Sequence, residues 1–598
     1  MTIDNMLDEI LLQVKRPGRY LGNEWNVVKK GIRPQDIKFA ICFPDLYEVG
    51  MSHLGLRIIY GLLNAEEGVA CERVFLPDID MQHILKAKDM PLFSLESRLP
   101  LGDFDFIGFC LNYELDYTNV LAVLDLARIP LLAKDRTLDF PLVIAGGCCT
   151  SNPEPLADFI DLFLIGEAEE ALPQIIEAYK NFTADGGKST ADKEGILREL
   201  AKIEGVYVPS FYDVGYDKSG VIKSFIPRYP DTPGKIKKRI VKNLDEAYYP
   251  TQWLVPYIQI VHDRAAVELM RGCPHSCKFC QAGNFYRYQR MRSPSKILEL
   301  ISKICKSTGY EEISLLSLST SDYPHLPEIV SSLSGRFQEN AVAISLPSLR
   351  PRSYLGGIVE YLSRVHKTTL TFAPEAGSER LRRLINKNFD MEELYSAVLN
   401  AYRAGWQAVK LYFMIGLPYE TKDDLDGILE IARKVSNLRR ELGKPQAGVN
   451  LSISSFIPKP HTYFQKEGMA SLEILEEKRR YLKEESKGLP KVIKLAFHNP
   501  QAAFLEAVFS RGDRRLGRVL LTAYQNGCFL DGWPEYFKFD IWKEAFRVNE
   551  LDTEFYLKQK ADEERLPWQH IDLGVDSFRA QGHESNLGEA FPQIQGNA

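Results

Sequence analysis

The sequence predicts an α/β protein: a doubly wound parallel sheet, then a partial (βα)6 barrel of the TIM type, then a small C-terminal extension. Three observations carry this. Short apolar runs alternate with helical stretches through the first third of the chain. Six further strand-like runs alternate with helices after residue 264. At 598 residues the chain is also too long for a single core.

In the first third, "KFAICFP" (38–44), "FDFIGFC" (104–110), "PLVIAGG" (141–147) and "IDLFLIG" (160–166) each end at proline, glycine or a polar turn. Short apolar strands separated by helices read as a parallel sheet covered on both faces. Such sheets bind ligands beyond their carboxyl ends. Gly146, Gly147 and Gly166 stand there, and glycine lets backbone approach a ligand closely. The first domain is placed at 1–205. Residues 206–250 read as a linker with one hairpin around "YDKSG", and the run Lys235, Lys237, Lys238 and Arg239 reads as a solvated face.

The second domain is placed at 251–480. Its strands are "AAVELM" (265–270), "EISLLSL" (312–318), "AVAISLP" (341–347), "TLTFAP" (369–374), "AVKLYFMIG" (408–416) and "VNLSISSF" (449–456). Six units fall short of the eight of a closed barrel, hence a partial one. Residues 481–598 form the extension, either a small appended domain or a cover over the barrel mouth. They contain the basic turn "SRGDRRLGR" (510–518).

Charged residues make up 26% of the chain and the formal net charge is −6, so no global basic field speaks for nucleic acid; a local patch stays open. No apolar run approaches the roughly 20 residues that cross a bilayer. Asp4, Asp8 and Glu9 precede the first basic residues, the reverse of a secretory signal. The expectation is a cytoplasmic protein with no membrane contact.

Ten cysteines are too few for a disulfide scaffold. Most lie singly and read as small buried hydrophobes. Cys273, Cys277 and Cys280, in "RGCPHSCKFC", are different: C-x3-C-x2-C offers three thiolates from one loop, directly after the first strand of the second domain. A structural zinc site needs a fourth ligand, for which His275 is at hand. An iron–sulfur cube held by three cysteines instead leaves one iron open to a substrate or cofactor.

With Phe279 before the last cysteine, this motif resembles the signature of the radical S-adenosylmethionine superfamily. The resemblance implies a [4Fe–4S] cluster on the three cysteines. Its open iron would bind the amino and carboxylate groups of S-adenosylmethionine, whose reductive cleavage yields a 5′-deoxyadenosyl radical. It also implies a reductant such as flavodoxin or ferredoxin. Three strand-end segments match in order. "LSTSDY" (318–323), with Ser319, stands where relatives bind the methionine amino group, although their glycine-rich turn is missing here. "APEAGSERLRRLINK" (373–387) resembles the segment contacting ribose and carboxylate, through Glu375 and Ser378. "MIGLPYET" (414–421), with Gly416, resembles the segment near adenine. Each also has a plain structural reading, as a helix cap or a turn.

The first domain resembles the cobalamin-binding domain of the cobalamin-binding radical S-adenosylmethionine proteins, and closest to a subgroup of about this length. The match lies in "FPDLYEVGMSHLGLRIIYGLLN" (43–64), "LNYELDYTNVLAVLDLARIP" (111–130), "AGGCCTSNPEPL" (145–156) and "GEAEEAL" (166–172). The Asp-x-His-x-x-Gly motif that places a histidine on cobalt is absent, since Met51 and Leu56 flank His53 where Asp and Gly would stand. His53 is therefore expected to be structural or to start a helix. With cobalamin the implied chemistry is methyl transfer or a cobalt-assisted rearrangement; without it, sulfur insertion, cyclisation or rearrangement. A non-enzymatic alternative is a cobalamin or redox sensor presenting Arg511, Arg514, Arg515 and Arg518 to nucleic acid.

Overall fold

The computed structural model describes residues 3–184, 192–337, 342–351 and 370–574. The first sheet contains β1 (Ile37–Phe43), β2 (Val69–Phe75), β3 (Phe106–Cys110), β4 (Leu142–Gly146), β5 (Leu162–Leu164) and β6 (Val206–Tyr207), in the order β2-β1-β3-β4-β5-β6. All pairings are parallel except β5 with β6. The order reverses between β1 and β3, so their carboxyl ends flank the crevice where such sheets take ligands. Four strands are the predicted apolar runs. The fifth, β2, escaped because "VACERVF" carries Glu72 and Arg73. Both are buried, and Arg73 is held by Glu24 at 2.7 Å and Glu96 at 2.6 Å. A charged pair inside a strand masks its apolar pattern when its partners lie far along the chain.

Residues 206–250 are woven into this body rather than strung between domains. Val206–Tyr207 extends the sheet, and β7 (Tyr212–Tyr216) with β8 (Ile222–Pro227) forms the expected hairpin. β9 (Ile236–Lys237) then pairs with residues 571–572 near the described C-terminus. The predicted solvated lysine face fails at Lys238, which is buried with its Nζ donating to the carbonyls of Phe285 and Arg287 at 2.6 and 2.7 Å.

The second body contains β10 (Ala265–Glu268), the short antiparallel pair β11 (Met270–Arg271) and β12 (Arg290–Met291), then β13 (Glu312–Leu316), β14 (Ala343–Ser345), β15 (Leu370–Glu375), β16 (Ala408–Ile415), β17 (Gly448–Ser455) and β18 (Ile493–Phe497). Among the described residues these form two parallel arcs, β10-β13-β14 and β15-β16-β17-β18. Six of these strands are the predicted ones; Ala341 and Thr369, at which two of the runs begin, lie outside the described residues. The seventh parallel strand, β18, comes from the region assigned to the extension. In its "IKLAF" exposed Lys494 and Ala496 alternate with the more buried Ile493, Leu495 and Phe497, the pattern of a strand covered on one face only. Val409, Leu411, Phe413, Val449, Leu451 and Ile453 pack against the helices Met391–Arg403 and Lys422–Asn437 as one core.

The rest of the tail packs on the first body and also holds the segment after β17, where Met469 N donates to Leu557 O at 2.9 Å and Trp568 Nε1 to Gln465 Oε1 at 2.8 Å. Leu505, Val508, Phe509, Leu516, Val519 and Trp542 join the core of the N-terminal sheet, where Phe509 meets Trp542 edge-on at 5.2 Å. Buried residues of this size contribute about 1.5–3 kcal/mol each. Polar ties reinforce the contact: Thr118 donates to Asp531 at 2.8 Å, and Asn152 to the carbonyls of Ser510 and Gly512. The basic turn is spent on the same packing. Arg511 is buried and donates to four backbone carbonyls, Arg514 pairs with Glu154 at 2.8 Å, and Arg515 with Asp513 at 2.7 Å. Those three guanidinium groups are not a surface for nucleic acid. Val575 and all beyond it lie outside the described residues.

Candidate functional site

The cysteine loop joins β11 to the helix Gln281–Phe285, and Cys280 caps that helix, its Sγ accepting from the Gly283 N–H at 3.3 Å. The loop is anchored from several directions. Lys278 N donates to Ile385 O at 2.9 Å, Asn386 Nδ2 to Ser276 O at 2.9 Å, and Phe464 N to Lys278 O at 3.2 Å. All three thiols are half-buried and free of disulfides. Burial raises each thiol above the ordinary range, Cys280 to about 11. A bound cation reverses that, because a coordinating thiol gives up its proton.

Among the described residues, no three His, Cys, Asp or Glu side chains converge on one metal-ion position. His275, the fourth ligand of the zinc alternative, has its Nε2 on Asp322 at 2.7 Å. A cube offers each thiolate a separate iron, so its ligands stand around it rather than meet at a point. Three free thiols on one anchored loop suit that donor set.

The matched segments gather around this loop. Phe279 packs against a small cluster of Ala376, Leu381, Ile385, Met414, Leu417, Phe456 and Phe464. The segments after β15, β16 and β17 therefore meet on the aromatic residue that precedes Cys280. The segment after β13 is tied in by His275 and Asp322, and Asp322 also receives the Ser319 hydroxyl.

Individual residues fare differently. Glu375 is left-handed at φ 69° and pairs with Lys387 at 3.3 Å; burial raises its carboxyl. The same Lys387 and Arg350 bring positive charge to Cys277. Ser378 is committed elsewhere, its hydroxyl accepting from Leu381 N at 3.1 Å as a helix cap and donating to Asp424. Ser319 is buried and likewise committed. Gly416, at φ 79°, donates its N–H to Glu420 at 2.8 Å.

A cavity of about 400 Å³ lies between the carboxyl ends of the first sheet and the cysteine side of the second body. Gly146, Gly147, Gly166, Asn112, Met270 and Leu318 all line it. Its inner part runs along β1, β3, β4 and β5 under the helix Leu54–Ala65, with Phe39, Ile41, Ile58 and Ile144 as walls. The glycines serve two different ends. A Cβ on Gly147 would come within 2.2 Å of Leu111 O, and one on Gly166 within 2.2 Å of Arg239 O, so these two admit neighbouring backbone, not a ligand. A Cβ on Gly146 would meet only Leu164 O, at 3.8 Å, which makes Gly146 the glycine that leaves space to the cavity.

His53, at the cavity wall, caps the helix Leu54–Ala65 by accepting from Leu56 N at Nδ1, 3.2 Å. Its Nε2 lies 3.1 Å from the Asn112 side chain. With Nδ1 an acceptor, the neutral ring carries its proton on Nε2, and the Asn112 amide, whose Nδ2 stands there, accepts it when turned to present its oxygen. Burial lowers its pKa to about 4, so it stays neutral. Neither nitrogen is left for a metal.

The polar rim went unrecognised in the sequence. Arg271, two residues before Cys273, is buried and pairs with Glu167 at 3.2 Å, Glu169 at 2.8 Å and Glu268 at 3.0 Å. Arg290 makes a two-pronged bond to Glu167, 2.7 Å on each oxygen. Glu167 and Glu169 belong to "GEAEEAL", so the acidic turn after β5 grips the strand that leads into the cysteines. Lys459, after β17, ties the bodies at a second place, half-buried between Glu114 and Glu506 at 2.7 Å each. Only the pairing of "GEAEE" with the arginine of "RGC" could have signalled this, and sequence alone gives no reason to pair them.

The first sheet with its ligand crevice thus faces a second α/β body that carries a three-cysteine loop at its strand ends. Residues 267–432 match the family model described as the radical SAM superfamily, and residues 55–209 match that of the N-terminal region of radical SAM proteins. The chain belongs to the radical SAM superfamily and is an enzyme of that class.

An uncharacterized protein of Methanocaldococcus jannaschii is 27% identical over 488 residues, 80% of this chain and 90% of its own length. The tRNA-2-methylthio-N(6)-dimethylallyladenosine synthase of Carboxydothermus hydrogenoformans is 24% identical over 29% of this chain and 41% of its own length. The anaerobic magnesium-protoporphyrin IX monomethyl ester cyclase of Cereibacter sphaeroides is 22% identical over 46% of this chain and 41% of its own length. Among solved structures, the cobalamin-dependent S-adenosylmethionine radical enzyme OxsB with aqua-cobalamin is similar at TM-score 0.47 and 14% identity, over 92% of this chain and 77% of that one. The radical S-adenosylmethionine methyltransferase TsrM from Kitasatospora setae is similar at TM-score 0.42 and 11% identity, over 70% and 75%. Likenesses this distant bear on neither ligand nor reaction. No helix among the described residues is long and apolar enough to cross a membrane.

Proposed function

We propose that this protein transfers a methyl group to its substrate by radical chemistry, with a [4Fe–4S] cluster on Cys273, Cys277 and Cys280, S-adenosylmethionine at the open iron, and cobalamin in the cavity. The observation that carries the proposal is the packing of Phe279 against the segments after β15, β16 and β17, directly beside three free thiols that lie across from a ligand-sized crevice. Cys273, Cys277 and Cys280 would hold the cluster, which would supply one electron, drawn from a flavodoxin- or ferredoxin-type donor, for the reductive cleavage of S-adenosylmethionine to methionine and a 5′-deoxyadenosyl radical.

The chain's own residues do the rest. Phe279 and Met414 offer an apolar surface to the adenosyl group, and Gly416 belongs to the turn beside it. Glu375, held in place by Lys387, accepts hydrogen bonds from hydroxyl or ammonium groups of the cofactor. Apolar walls exclude water from the crevice, and Gly146 leaves room along one side for a broad flat ring. His53 would not ligate the metal of a corrinoid held in this crevice, because both its nitrogens are engaged. The cobalamin-independent reading keeps the cluster and cofactor and leaves the crevice to substrate.

Anaerobic purification followed by iron, sulfide and corrinoid assays tests the proposal. The expected result is about four irons with matching sulfide, one corrinoid, and 5′-deoxyadenosine on reduction. Replacing any of the three cysteines by alanine removes the iron. Zinc in its place overturns the cluster; a protein that holds the cluster and takes up no hydroxocobalamin or methylcobalamin overturns methyl transfer alone.

A further inference from the structure

We infer that the face of the β15-β16-β17-β18 sheet turned away from its helices binds an anionic group of the substrate, a carboxylate or a phosphate, between Lys410 and Lys494. This rests on the radical-enzyme reading above, in which the substrate's reacting carbon lies beside the cysteine loop.

The register establishes the site. Lys410 is paired with Asn450, and Asn450 with Lys494, so the three stand in one row across β16, β17 and β18. Their chain neighbours Val409, Leu411, Val449, Leu451 and Ile493 are buried against the helices, which turns the row to the opposite face. Two residues further along each strand come Tyr412, Ser452 and Ala496, and after them Met414, Ser454 and His498. Met414 belongs to the cluster that holds Phe279. The row therefore lies four residues below the cysteine end, about 13 Å at the rise of an extended strand.

Charge balance gives the ligand its sign. The carboxylates on neighbouring strands of this body lie at strand ends and are already paired, Glu268 with Arg271, Glu312 with Arg264 and Glu375 with Lys387, while Thr371 stands opposite Lys410 itself. Neither Lys410 nor Lys494 pairs with a carboxylate among the described residues. Lys410 instead lies 4.6 Å from the ring centre of Tyr412, a cation–π contact that leans its ammonium toward the cysteine end. Lys410 is half-buried and Lys494 exposed, so the site is open to an entering ligand.

The two Cα atoms are two strand spacings apart, about 10 Å. That is a span two lysine stems close over one anion, with the Asn450 amide between them and the Tyr412 ring above. The substrate is thus a molecule with a negative group about 13 Å from the carbon that reacts.

Titration of the cluster-loaded protein at low ionic strength with inorganic pyrophosphate and with tricarballylate tests this. Lys410→Gln and Lys494→Gln should each weaken binding about tenfold, the loss of one charge-assisted hydrogen bond. Lys410→Arg should retain it. Preference for pyrophosphate assigns a phosphate, and preference for tricarballylate a carboxylate. Melting curves and iron content of each variant separate a folding defect from a binding one. If the wild-type protein binds neither anion, or the double variant binds both as tightly, the inference is overturned. Reductive cleavage of S-adenosylmethionine by the wild-type protein is read separately; its failure removes the radical-enzyme reading and leaves the titration result standing.

Discussion

Replacing Arg271 by methionine tests the coupling between the two bodies. Its guanidinium is 8% exposed and holds three carboxylates, but their dependence on it is unequal. Glu167 keeps the two bonds from Arg290, and Glu268 keeps Arg292 at 3.7 Å. Glu169, 7% exposed, has no second cation among its described ion pairs. The variant therefore strands one buried carboxylate. Removing one partner of a buried pair costs about 3–5 kcal/mol, much of it the uncompensated charge left behind. Glu169→Gln removes that charge, so the double variant should recover about half the loss, a coupling of about 2 kcal/mol. Equilibrium denaturation of all four proteins, with iron content beside it, measures the cycle. Because Gly272 and Cys273 follow directly, the single variant should also hold less iron. A loss under about 1 kcal/mol, or no recovery in the double variant, would refute the reasoning.

Glu375→Gln should weaken S-adenosylmethionine binding several-fold to about thirtyfold while sparing the cluster, read by equilibrium binding. Ser378→Ala should cost about 1 kcal/mol of stability through its lost helix cap, seen in melting, with no change in that binding. Gly146→Val should block corrinoid uptake in a folded protein, whereas Gly147→Ala, at φ 112° and against Leu111 O, should destabilise the sheet itself; equal folding of the two would contradict the packing. Asp531 has its carboxyl pushed up to about 6 by burial, so its native proton is gained between the unfolded value near 3.8 and 6. Its contribution is fully present below pH 3.8 and is lost as pH rises through 6. Asp531→Asn should match the wild type at pH 4 and exceed it at pH 7.5, by up to about 3 kcal/mol, in paired denaturation curves.

Much of this architecture was legible because the apolar runs are short, regular and bounded by turn residues. The place of the cysteine loop was legible because its motif directly follows a strand. What escaped has a common physical cause. Arg73, Lys238 and Arg271 are buried cations, and Lys459 and Arg514 half-buried ones, held by carboxylates or carbonyls far along the chain. A sequence read locally assigns them to the surface. That is why "VACERVF" did not register as a strand, why "GKIKKR" was taken for a solvated face, and why the basic tail turn stood as an alternative nucleic-acid surface. Gly147 and Gly166 show the converse. Their positions at strand ends were legible, but the atoms that need the space are backbone carbonyls of this chain.

These long-range ion pairs also explain how two bodies with separate cores act as one site. The cysteine loop draws only part of its support from its own strand: Ile385, Asn386 and Phe464 hold it from the second body, while Glu167 and Glu169, through Arg271, hold the strand before it from the first. Lys238 reaches across from residues near the hairpin to cap the backbone just after the loop. On the proposed function, a radical formed beside Phe279 would be confined between surfaces whose separation is set by buried charge rather than by a flexible linker. Such contacts are directional and costly to break, where apolar packing tolerates small slips. The arrangement suits chemistry in which the hydrogen to be removed and any group to be delivered must face each other across a fixed gap, the crevice above Gly146 on one side and the strand ends above Lys410 on the other.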